Sequence, residues 1–359
     1  MAFDFRNNNS HGRLRHNKTR RIGVIDAQSR AWPKFGSLPV KIMGELVVIT
    51  GGAGFIGSHL VEGFVRHGYA VRAIDNLSTG SLTNLAGLKG NIEYRNLDIR
   101  DLGSLTEALR DASIVLHHAG ISSVPRSFAD RQYTHEVNVT GTLNVLLAAH
   151  LAGVRKVINA SSSSVYGNNG EELQRESAAP VPLSPYGLSK WVSELYVSQF
   201  ARTAPIGTVS LRYFNVFGPR QSLESGYAAV IPLFIQKFAD RIRPTIFGDG
   251  TQTRDFTFID NIVEANIRAA RTSLPSGTTM NVATGCRLSL NDLVSMLNKA
   301  FGVQIEPIYQ KERLGDIKHS CADIALSEKL LGHYNTVPVR DGLTNTVRWL
   351  LESKQAAIR

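Results

Sequence analysis

A short apolar strand that runs directly into a glycine loop constrains this sequence more than any other feature. Residues 46–49 are apolar and mostly β-branched, and Gly51, Gly54 and Gly57 follow before a helical pattern begins. Glycines at this spacing permit a tight turn, a close approach of the backbone to a phosphate, and close packing of helix on strand. The N-terminus of the helix also favours a negative charge. The sequence therefore predicts a strand, turn and helix that bind the pyrophosphate of a dinucleotide.

Strands and helical stretches alternate from residue 45 to about residue 215. Such alternation is typical of proteins in which helices cover both faces of a parallel sheet. We therefore predict an α/β fold, a doubly wound parallel sheet of the Rossmann type. The predicted strands are 46–49, 70–74, 92–95, 114–117, 157–160 and 209–213, and the predicted helices include 57–67, 133–151 and 185–201.

The alternation loosens after residue 215, where glycine, proline and aromatic residues interrupt it. This change predicts a smaller C-terminal α/β domain that covers a substrate. Within that half, residues 257–282 have the pattern of a strand, a helix and a strand that return to the main sheet. The predicted organisation is a basic, disordered tail at 1–42, a Rossmann domain at 43–217 joined by 257–283, and a substrate-binding domain at 218–256 and 284–359.

The net charge of +10 is concentrated in the tail, because residues 1–42 carry +7 of it. A basic arm can bind polyanions, but a charge run of this kind is more often a solvated tail, so we expect no nucleic-acid partner. No apolar run is long enough to span a membrane. Cys286 and Cys321 provide neither a disulfide framework nor a metal site, and we expect both thiols to be buried. These features predict a cytoplasmic protein without a metal.

Asp75 ends the second predicted strand, eighteen residues after Gly57. A carboxylate there can accept hydrogen bonds from the ribose hydroxyls of NAD and would repel the extra phosphate of NADP. Asp98 and Ile99 close the third strand, where an adenine would lie. These positions predict NAD as the cofactor. The residues predicted to contact it are Gly51, Gly54, Phe55, Ile56, Gly57, Asp75, Asn76, Asp98, Ile99, Tyr186 and Lys190.

Tyr186 and Lys190 are four residues apart, on one face of a predicted helix. A phenol with a pKa of about 10 is a poor base at neutral pH. The ammonium of Lys190 and the positive nicotinamide would lower that pKa, so that Tyr186 could take a proton while hydride leaves the same carbon. Ser162, in a run of four serines after the fifth strand, could share this proton. We predict Ser162, Tyr186 and Lys190 as the catalytic residues.

Residues 44 to 350 resemble the extended short-chain dehydrogenase/reductase family, in particular its NAD-dependent epimerases and dehydratases. The motifs that carry the resemblance are the glycine loop, Ser162 four residues before Tyr166, Tyr186 and Lys190, and the segments 212–220, 248–256 and 313–316. The resemblance implies a UDP-sugar substrate and a homodimer. It also implies substrate contacts at Ser123, Arg126, Ser163, Asn215, Val230, Arg254, Arg313, Asp316 and Ser320. Among these, Asn215 would contact the sugar diphosphate, Arg254 and Arg313 would hold its phosphates, and Asp316 would bind the uridine ribose.

The family includes enzymes that share a first oxidation at C4 and then differ. Its 4,6-dehydratases carry Asp and Glu where this chain has Ser163 and Ser164, and its decarboxylases tend to carry Glu in the same segment. Without such acids, the resemblance implies 4-epimerisation through a transient 4-keto sugar, with no further acid or base. Segments 123–127, 184–186 and 227–232 are similar to those of epimerases for UDP-GlcNAc and UDP-GalNAc, or for their uronates.

Ser320 corresponds to a position that lines the sugar pocket in these epimerases, and a serine there leaves room for an N-acetyl group. The serine run also resembles UDP-glucuronate 4-epimerases, although those usually have Thr at the position of Asn215. A UDP-glucuronate 4-epimerase, or another NAD-dependent sugar-nucleotide reaction, is therefore the alternative. A non-catalytic NAD-sensing or RNA-binding protein is the alternative of a different class. A pure binding module would not need Ser162, Tyr186 and Lys190 together.

Overall fold

The computed structural model describes residues 44–222, 229–312 and 318–358 of the chain. The strands in these residues are β1 (Leu46–Thr50), β2 (Ala70–Asp75), β3 (Ile92–Asn96), β4 (Ala112–His117), β5 (Lys156–Ser162), β6 (Leu173–Gln174), β7 (Gly207–Tyr213), β8 (Val216–Phe217), β9 (Thr245–Phe247), β10 (Thr253–Arg254), β11 (Thr257–Phe258), β12 (Thr278–Val282), β13 (Leu288–Ser289), β14 (Ile308–Gln310) and β15 (Cys321–Ala322). The helices are α1 (Phe55–Arg66), α2 (Leu102–Ala108), α3 (Val124–Ala129), α4 (Arg131–His135), α5 (Gly141–Leu151), α6 (Pro185–Thr203), α7 (Val230–Ala239), α8 (Ile259–Arg271), α9 (Leu290–Phe301), α10 (Ala325–Leu331) and α11 (Val339–Ile358).

Within the described residues, seven strands form one sheet in the order β3-β2-β1-β4-β5-β7-β12, and every neighbouring pair is parallel. The strand order reverses between β1 and β4. At such a point the connections leave in opposite directions and open a crevice beyond the carboxyl ends of the strands, where ligands bind in folds of this type. The predicted doubly wound α/β fold is confirmed.

Strand β1, in the middle of the sheet, is apolar from Leu46 to Ile49 because both faces of the sheet are covered. In β1, Val47 and Ile49 pack into one buried cluster, which includes residues of α1 and α8. Leu46 and Val48 pack into a second cluster, which includes residues of α2 and α5. A strand buried on both faces has no polar alternation, which is why residues 46–49 form a continuous apolar run.

The helix predicted over 133–151 is interrupted. The chain forms α4, then a π-helical segment at Glu136–Thr140, and then α5. A π-helical segment accommodates one extra residue per turn, which shifts the side chains that follow, and such segments are frequent at functional sites. An apolar pattern carries no sign of that extra residue, so the sequence predicted one helix.

Helix α6 begins where the sequence predicted. Ser184 accepts a hydrogen bond from the amide of Gly187 at 3.0 Å, and Pro185 occupies the first helical position. The helix continues to Thr203, two residues beyond the predicted end.

The second half of the chain returns to the sheet through one strand. β12 pairs with β7, whereas β11 pairs with β8 outside the main sheet. Other short pairs in the described residues join β10 to β13, β14 to β9 and β15 to β6. The division into domains remains a prediction.

Cys321 is buried, but Cys286 is exposed, so the expectation of two buried thiols is wrong for Cys286. Across the described residues, none of the helices has both the length and the apolar character needed to cross a membrane.

Candidate active site

The glycine loop between β1 and α1 has no room for side chains. Gly51 has a φ of +71°, and a Cβ there would lie 2.7 Å from the amide nitrogen of Ala119. A Cβ on Gly57 would lie 2.0 Å from the carbonyl oxygen of Gly51. The loop therefore keeps bare backbone at the N-terminus of α1, which suits a pyrophosphate.

One cleft, called here the first cleft, runs along the carboxyl ends of the central strands. All eleven residues predicted to contact NAD line it, together with others from β5 and from the loop after β4. The structure thus brings together side chains that are up to 139 residues apart in sequence, from Gly51 to Lys190.

Asp75 stands at the end of β2 against the glycine loop. Its carboxylate accepts hydrogen bonds from the amides of Ala53 at 3.1 Å and Leu77 at 2.8 Å. Burial raises the pKa of Asp75, and these two hydrogen bonds oppose the rise. Next to it, Asn76 donates to Asp98 at 3.0 Å. Asp75 is therefore fixed in position by the loop that it faces.

Tyr186 lies in the first turn of α6 and is almost entirely buried. Burial raises the pKa of its phenol, and a hydrogen bond with Ser162 lowers it by less. Within the protein itself, the loss of hydration therefore outweighs the neighbouring groups. The lowering of this pKa by Lys190 together with the positive nicotinamide remains a prediction. Ser162 is flanked by Ser161, which lines the first cleft, and by Ser163, which lines a second cleft described below.

Lys190 is buried one turn after Tyr186, and its Nζ donates to the carbonyl oxygen of Ala160 at 2.7 Å. Burial lowers its pKa to about 8, although the carboxylate of Glu194 raises it. His117 and His118 at the end of β4 also feel this ammonium. Burial and Lys190 together lower the pKa of His118 to about 3 and that of His117 well below its usual value. Both imidazoles are therefore neutral at pH 7.

A second cleft opens beside the serine run. Four of the predicted substrate residues line it: Ser163, Asn215, Arg254 and Ser320. The guanidinium of Arg254 donates to the carbonyl oxygens of Thr253 at 2.9 Å and Lys318 at 3.3 Å. An arginine, an amide and several hydroxyl groups suit a diphosphate attached to a sugar.

The other predicted substrate residues are placed differently. Ser123 caps α3 by accepting from the amide of Arg126 at 3.3 Å, and the Arg126 guanidinium lies 5.6 Å from the ring centre of Tyr133. Val230 begins α7 and packs against the core. None of these three is among the residues that line the second cleft. Arg313 and Asp316 lie outside the described residues.

Comparison with known proteins identifies the family. The model of the NAD dependent epimerase/dehydratase family matches residues 47–283. The chain belongs to this epimerase/dehydratase family. This membership confirms the predicted enzyme class and NAD as the cofactor.

Several proteins are similar to this chain over nearly their whole length. A putative UDP-glucose 4-epimerase of Methanocaldococcus jannaschii is 36% identical over 308 residues, which are 85% of this chain and 98% of that protein. A UDP-glucuronate 4-epimerase of Thermodesulfobacterium geofontis is 31% identical over 317 residues, which are 85% of this chain and 96% of that protein. A UDP-N-acetylglucosamine 4-epimerase from Methanobrevibacter ruminantium, solved in complex with UDP-N-acetylmuramic acid, is 38% identical with a TM-score of 0.82 and covers 87% of this chain and 100% of that chain.

Sequence reasoning missed Asn138, which lies in the π-helical segment. Its amide oxygen accepts from the amide N–H of Ile121 at 2.7 Å, and its Nδ2 donates to the Ile121 carbonyl at 3.0 Å and to Ser189 Oγ at 2.9 Å. Asn138 thus ties the loop after β4 to α6 between Tyr186 and Lys190. The signal in the sequence was a polar residue between two valines in a helical pattern.

Asp255 was also missed, and it shapes the second cleft of this epimerase/dehydratase. Its buried carboxylate accepts from the amides of Thr284 at 3.0 Å and Ala322 at 3.2 Å, and burial raises its pKa. Its carbonyl oxygen accepts from Asn215 Nδ2 at 2.8 Å. Asp255 therefore connects three separate segments beside Arg254. Its position directly after a predicted phosphate-binding arginine was the available signal.

In the part of the chain that the structure describes, no three His, Cys, Asp or Glu side chains are grouped so that they could hold a metal ion. The adjacent histidines illustrate this. His117 bonds to Thr50 at 2.8 Å and Thr142 at 2.9 Å, whereas His118 bonds to Tyr213 at 2.8 Å.

Proposed function

We propose that the protein is a UDP-hexose 4-epimerase that interconverts UDP-GlcNAc and UDP-GalNAc, or the corresponding N-acetylated uronates. The observation that carries the proposal is the lining of the second cleft. Among its described lining residues there are four serines, an asparagine and an arginine, but no carboxylate. Elimination of water needs an additional acid and base at the sugar, whereas epimerisation at C4 does not.

The neighbouring acid of the second cleft is already engaged. The carboxylate of Asp255 accepts hydrogen bonds from the amides of Thr284, Gly285 and Ala322. It is fully buried, so it cannot exchange protons with a ligand in the cleft without breaking these bonds. This arrangement favours epimerisation over dehydration or decarboxylation.

In the proposed mechanism, Tyr186 takes the proton of the sugar's C4 hydroxyl and Ser162 holds the reacting oxygen. Bound NAD supplies the hydride acceptor, the same hydride in the return step, and a positive charge in its oxidised form. The glycine loop and Asp75 would hold it, and Lys190 would reach the nicotinamide ribose. Because burial raises the pKa of Tyr186, the phenolate depends on positive charge placed beside it. The 4-keto sugar then turns over in the second cleft, so that the opposite face of C4 would receive the returning hydride while Tyr186 gives its proton back to the C4 oxygen.

The proposed preference for N-acetylated sugars rests on the second cleft. Ser320 lines it, and the exposed apolar side chains of Val124, Phe128 and Leu183 line it as well. The small hydroxyl leaves space for an acyl substituent, and the apolar groups suit its methyl. The similarity to a UDP-N-acetylglucosamine 4-epimerase supports this preference.

The proposal is tested by incubating the protein with a panel of UDP-sugars and following anomeric proton signals by NMR. We expect the acetylated pair to interconvert at least as well as UDP-glucose and UDP-galactose. Ser320→Tyr should abolish turnover of the acetylated pair and spare the plain pair, because added bulk acts only on the larger ligand. Ser295→Tyr, on an exposed position of α9 outside both clefts, controls for the aromatic ring itself. Equal loss on both pairs would show that Ser320 does not select the substrate.

The alternative is a UDP-glucuronate 4-epimerase. The run of four serines and the similarity to such an enzyme at 31% identity favour it, and Asn215 disfavours it. The same panel decides between them, since only this alternative predicts faster turnover of UDP-glucuronate than of the acetylated sugars.

A homodimer is part of the proposal, and sedimentation of the protein would test it.

A further inference from the structure

A buried carboxylate lies behind the proposed catalytic residues, and the mechanism above does not use it. Glu194 is on α6, four residues after Lys190, so the two side chains share one face of the helix. It accepts from Ser161 Oγ on β5. Ser161 is flanked by Ala160, whose carbonyl holds the ammonium of Lys190 at 2.7 Å, and by Ser162. Glu194 thus contacts the segment of β5 that holds the ammonium of Lys190 and carries the hydroxyl of Ser162.

The carboxylate of Glu194 forms a buried ion pair with Arg212. Arg212 on β7 donates to Glu194 through Nε at 2.8 Å and through Nη2 at 2.7 Å. The guanidinium also lies 4.7 Å from the ring centre of Tyr166, whose hydroxyl donates to Asn281 at 2.6 Å. Both members of the ion pair are about 5% exposed. The pair therefore holds α6, β5 and β7 in one arrangement beneath the site.

Among the titratable groups around Lys190, the Glu194 carboxylate is the one that favours the charged ammonium. From β4 it faces His117 and His118, both held neutral. From α6 it faces the phenol of Tyr186 and the carboxylate of Glu194. Burial lowers the pKa of Lys190 to about 8, and Glu194 is the group that opposes this fall. A buried amine without a nearby anion loses its proton near or below neutral pH.

We propose that Glu194 is a positioning residue that holds Lys190 as an ammonium and sets the serine segment of β5 against α6. The expected consequence rests on the proposed function, in which the charged form of Lys190 supports the phenolate of Tyr186. Activity then falls as the pH rises through the pKa of Lys190. Loss of the carboxylate moves this alkaline limb to lower pH.

The test compares variants at position 194. Glu194→Gln keeps the shape and removes the charge that raises the pKa of Lys190, and an opposite charge within about 4 to 6 Å typically shifts a pKa by about 1 to 3 units. We expect the alkaline limb of kcat to move down by about one unit or more, while UDP affinity in calorimetry stays unchanged. Glu194→Asp keeps the charge and should keep the limb near that of the parent. The double variant E194Q/R212M leaves no unpaired guanidinium at Arg212, so it tests the same shift if Glu194→Gln alone folds poorly.

Two further measurements separate positioning from a structural role. Ser327→Ala removes a buried hydroxyl that bonds to Ile324 and Tyr334, away from both clefts. It should lower stability without moving the alkaline limb. NMR titration of the Lys190 ammonium in the NAD complex reads the same shift without turnover, so it remains decisive if the parent proves not to be an epimerase. An unchanged Lys190 titration in folded Glu194→Gln or E194Q/R212M protein overturns the proposal.

Discussion

At the scale of single residues, Asp75 shows how one side chain serves the fold and the cofactor together. Its carboxylate holds the amides of Ala53 and Leu77, and it also lines the first cleft beside the predicted NAD-binding residues. The sequence predicted the second role from its position at a strand end. The hydrogen bonds to the loop were visible only in the structure.

We expect Asp75→Ala to weaken NAD binding and to relax discrimination against NADP, because the variant lacks both the acceptor for the ribose and the charge that repels a phosphate. Calorimetry with the two cofactors measures both effects. Asp75→Asn keeps an acceptor for one of the loop amides and serves as the control. Unchanged NAD affinity in folded Asp75→Ala protein would remove Asp75 from the cofactor site.

Tyr186→Phe keeps the buried ring and deletes the titrating hydroxyl. Loss of a general acid–base group typically lowers the rate by about 100- to 10,000-fold. We expect a loss in this range for kcat, with UDP affinity retained because the second cleft is unaltered. Near-normal turnover would show that another group carries the proton.

At the scale of elements, a buried lysine connects the central sheet to a helix from the second half of the chain. Lys156, at the start of β5, donates from Nζ to the carbonyls of Ala269 at 2.9 Å, Ala270 at 3.2 Å and Thr272 at 2.7 Å. These are carbonyls at the C-terminus of α8, which lack partners within the helix and attract a cation. The contact spans 116 residues of sequence at its longest.

We expect Lys156→Met to lower the free energy of unfolding by about 2 kcal/mol, because buried carbonyls would lose their donor. Urea unfolding measures the change. Lys354→Met is the matched control, since its Nζ pairs with Asp240 on the surface at 3.1 Å, and exposed ion pairs contribute about 0 to 1 kcal/mol. Equal effects of the two substitutions would mean that Lys156 does not cap α8.

At the scale of the whole molecule, charge and fold are separated along the chain. Residues 1–42 carry +7 of the net charge of +10, and residues 44–358 contain the sheet and both clefts. Counterion release makes binding of a polyanion by a basic arm strongly salt-dependent. Because the basic residues precede those that form the two clefts, we expect this binding to be separable from the ligand sites.

Deleting residues 1–42 should therefore leave turnover of UDP-sugars unchanged and remove any RNA binding seen at low salt. Enzyme assays and electrophoretic shifts on the full and truncated chains test both parts. RNA binding retained by the truncated chain would contradict the assignment of this charge to a separable tail.

The sequence by itself determined the α/β fold class, the strands of the central sheet, the family and the cofactor. These depend on local patterns, namely apolar runs, the glycines of residues 51–57, and the four-residue spacing of Tyr186 and Lys190. Such patterns act within one or two elements, so they can be recognised without knowing which elements are neighbours in space.

Only the tertiary structure decided the features that depend on burial and on contacts between distant segments. It placed Asn138 through a π-helical segment, joined Asp255 to Thr284 and Ala322, and set Glu194 between Ser161 and Arg212. It also showed that burial raises the pKa of Tyr186 in the protein alone, because the cost of burying a charge depends on the whole surroundings and not on one neighbouring lysine. Hydrogen-bond partners and dehydration are set by packing, which sequence spacing does not encode.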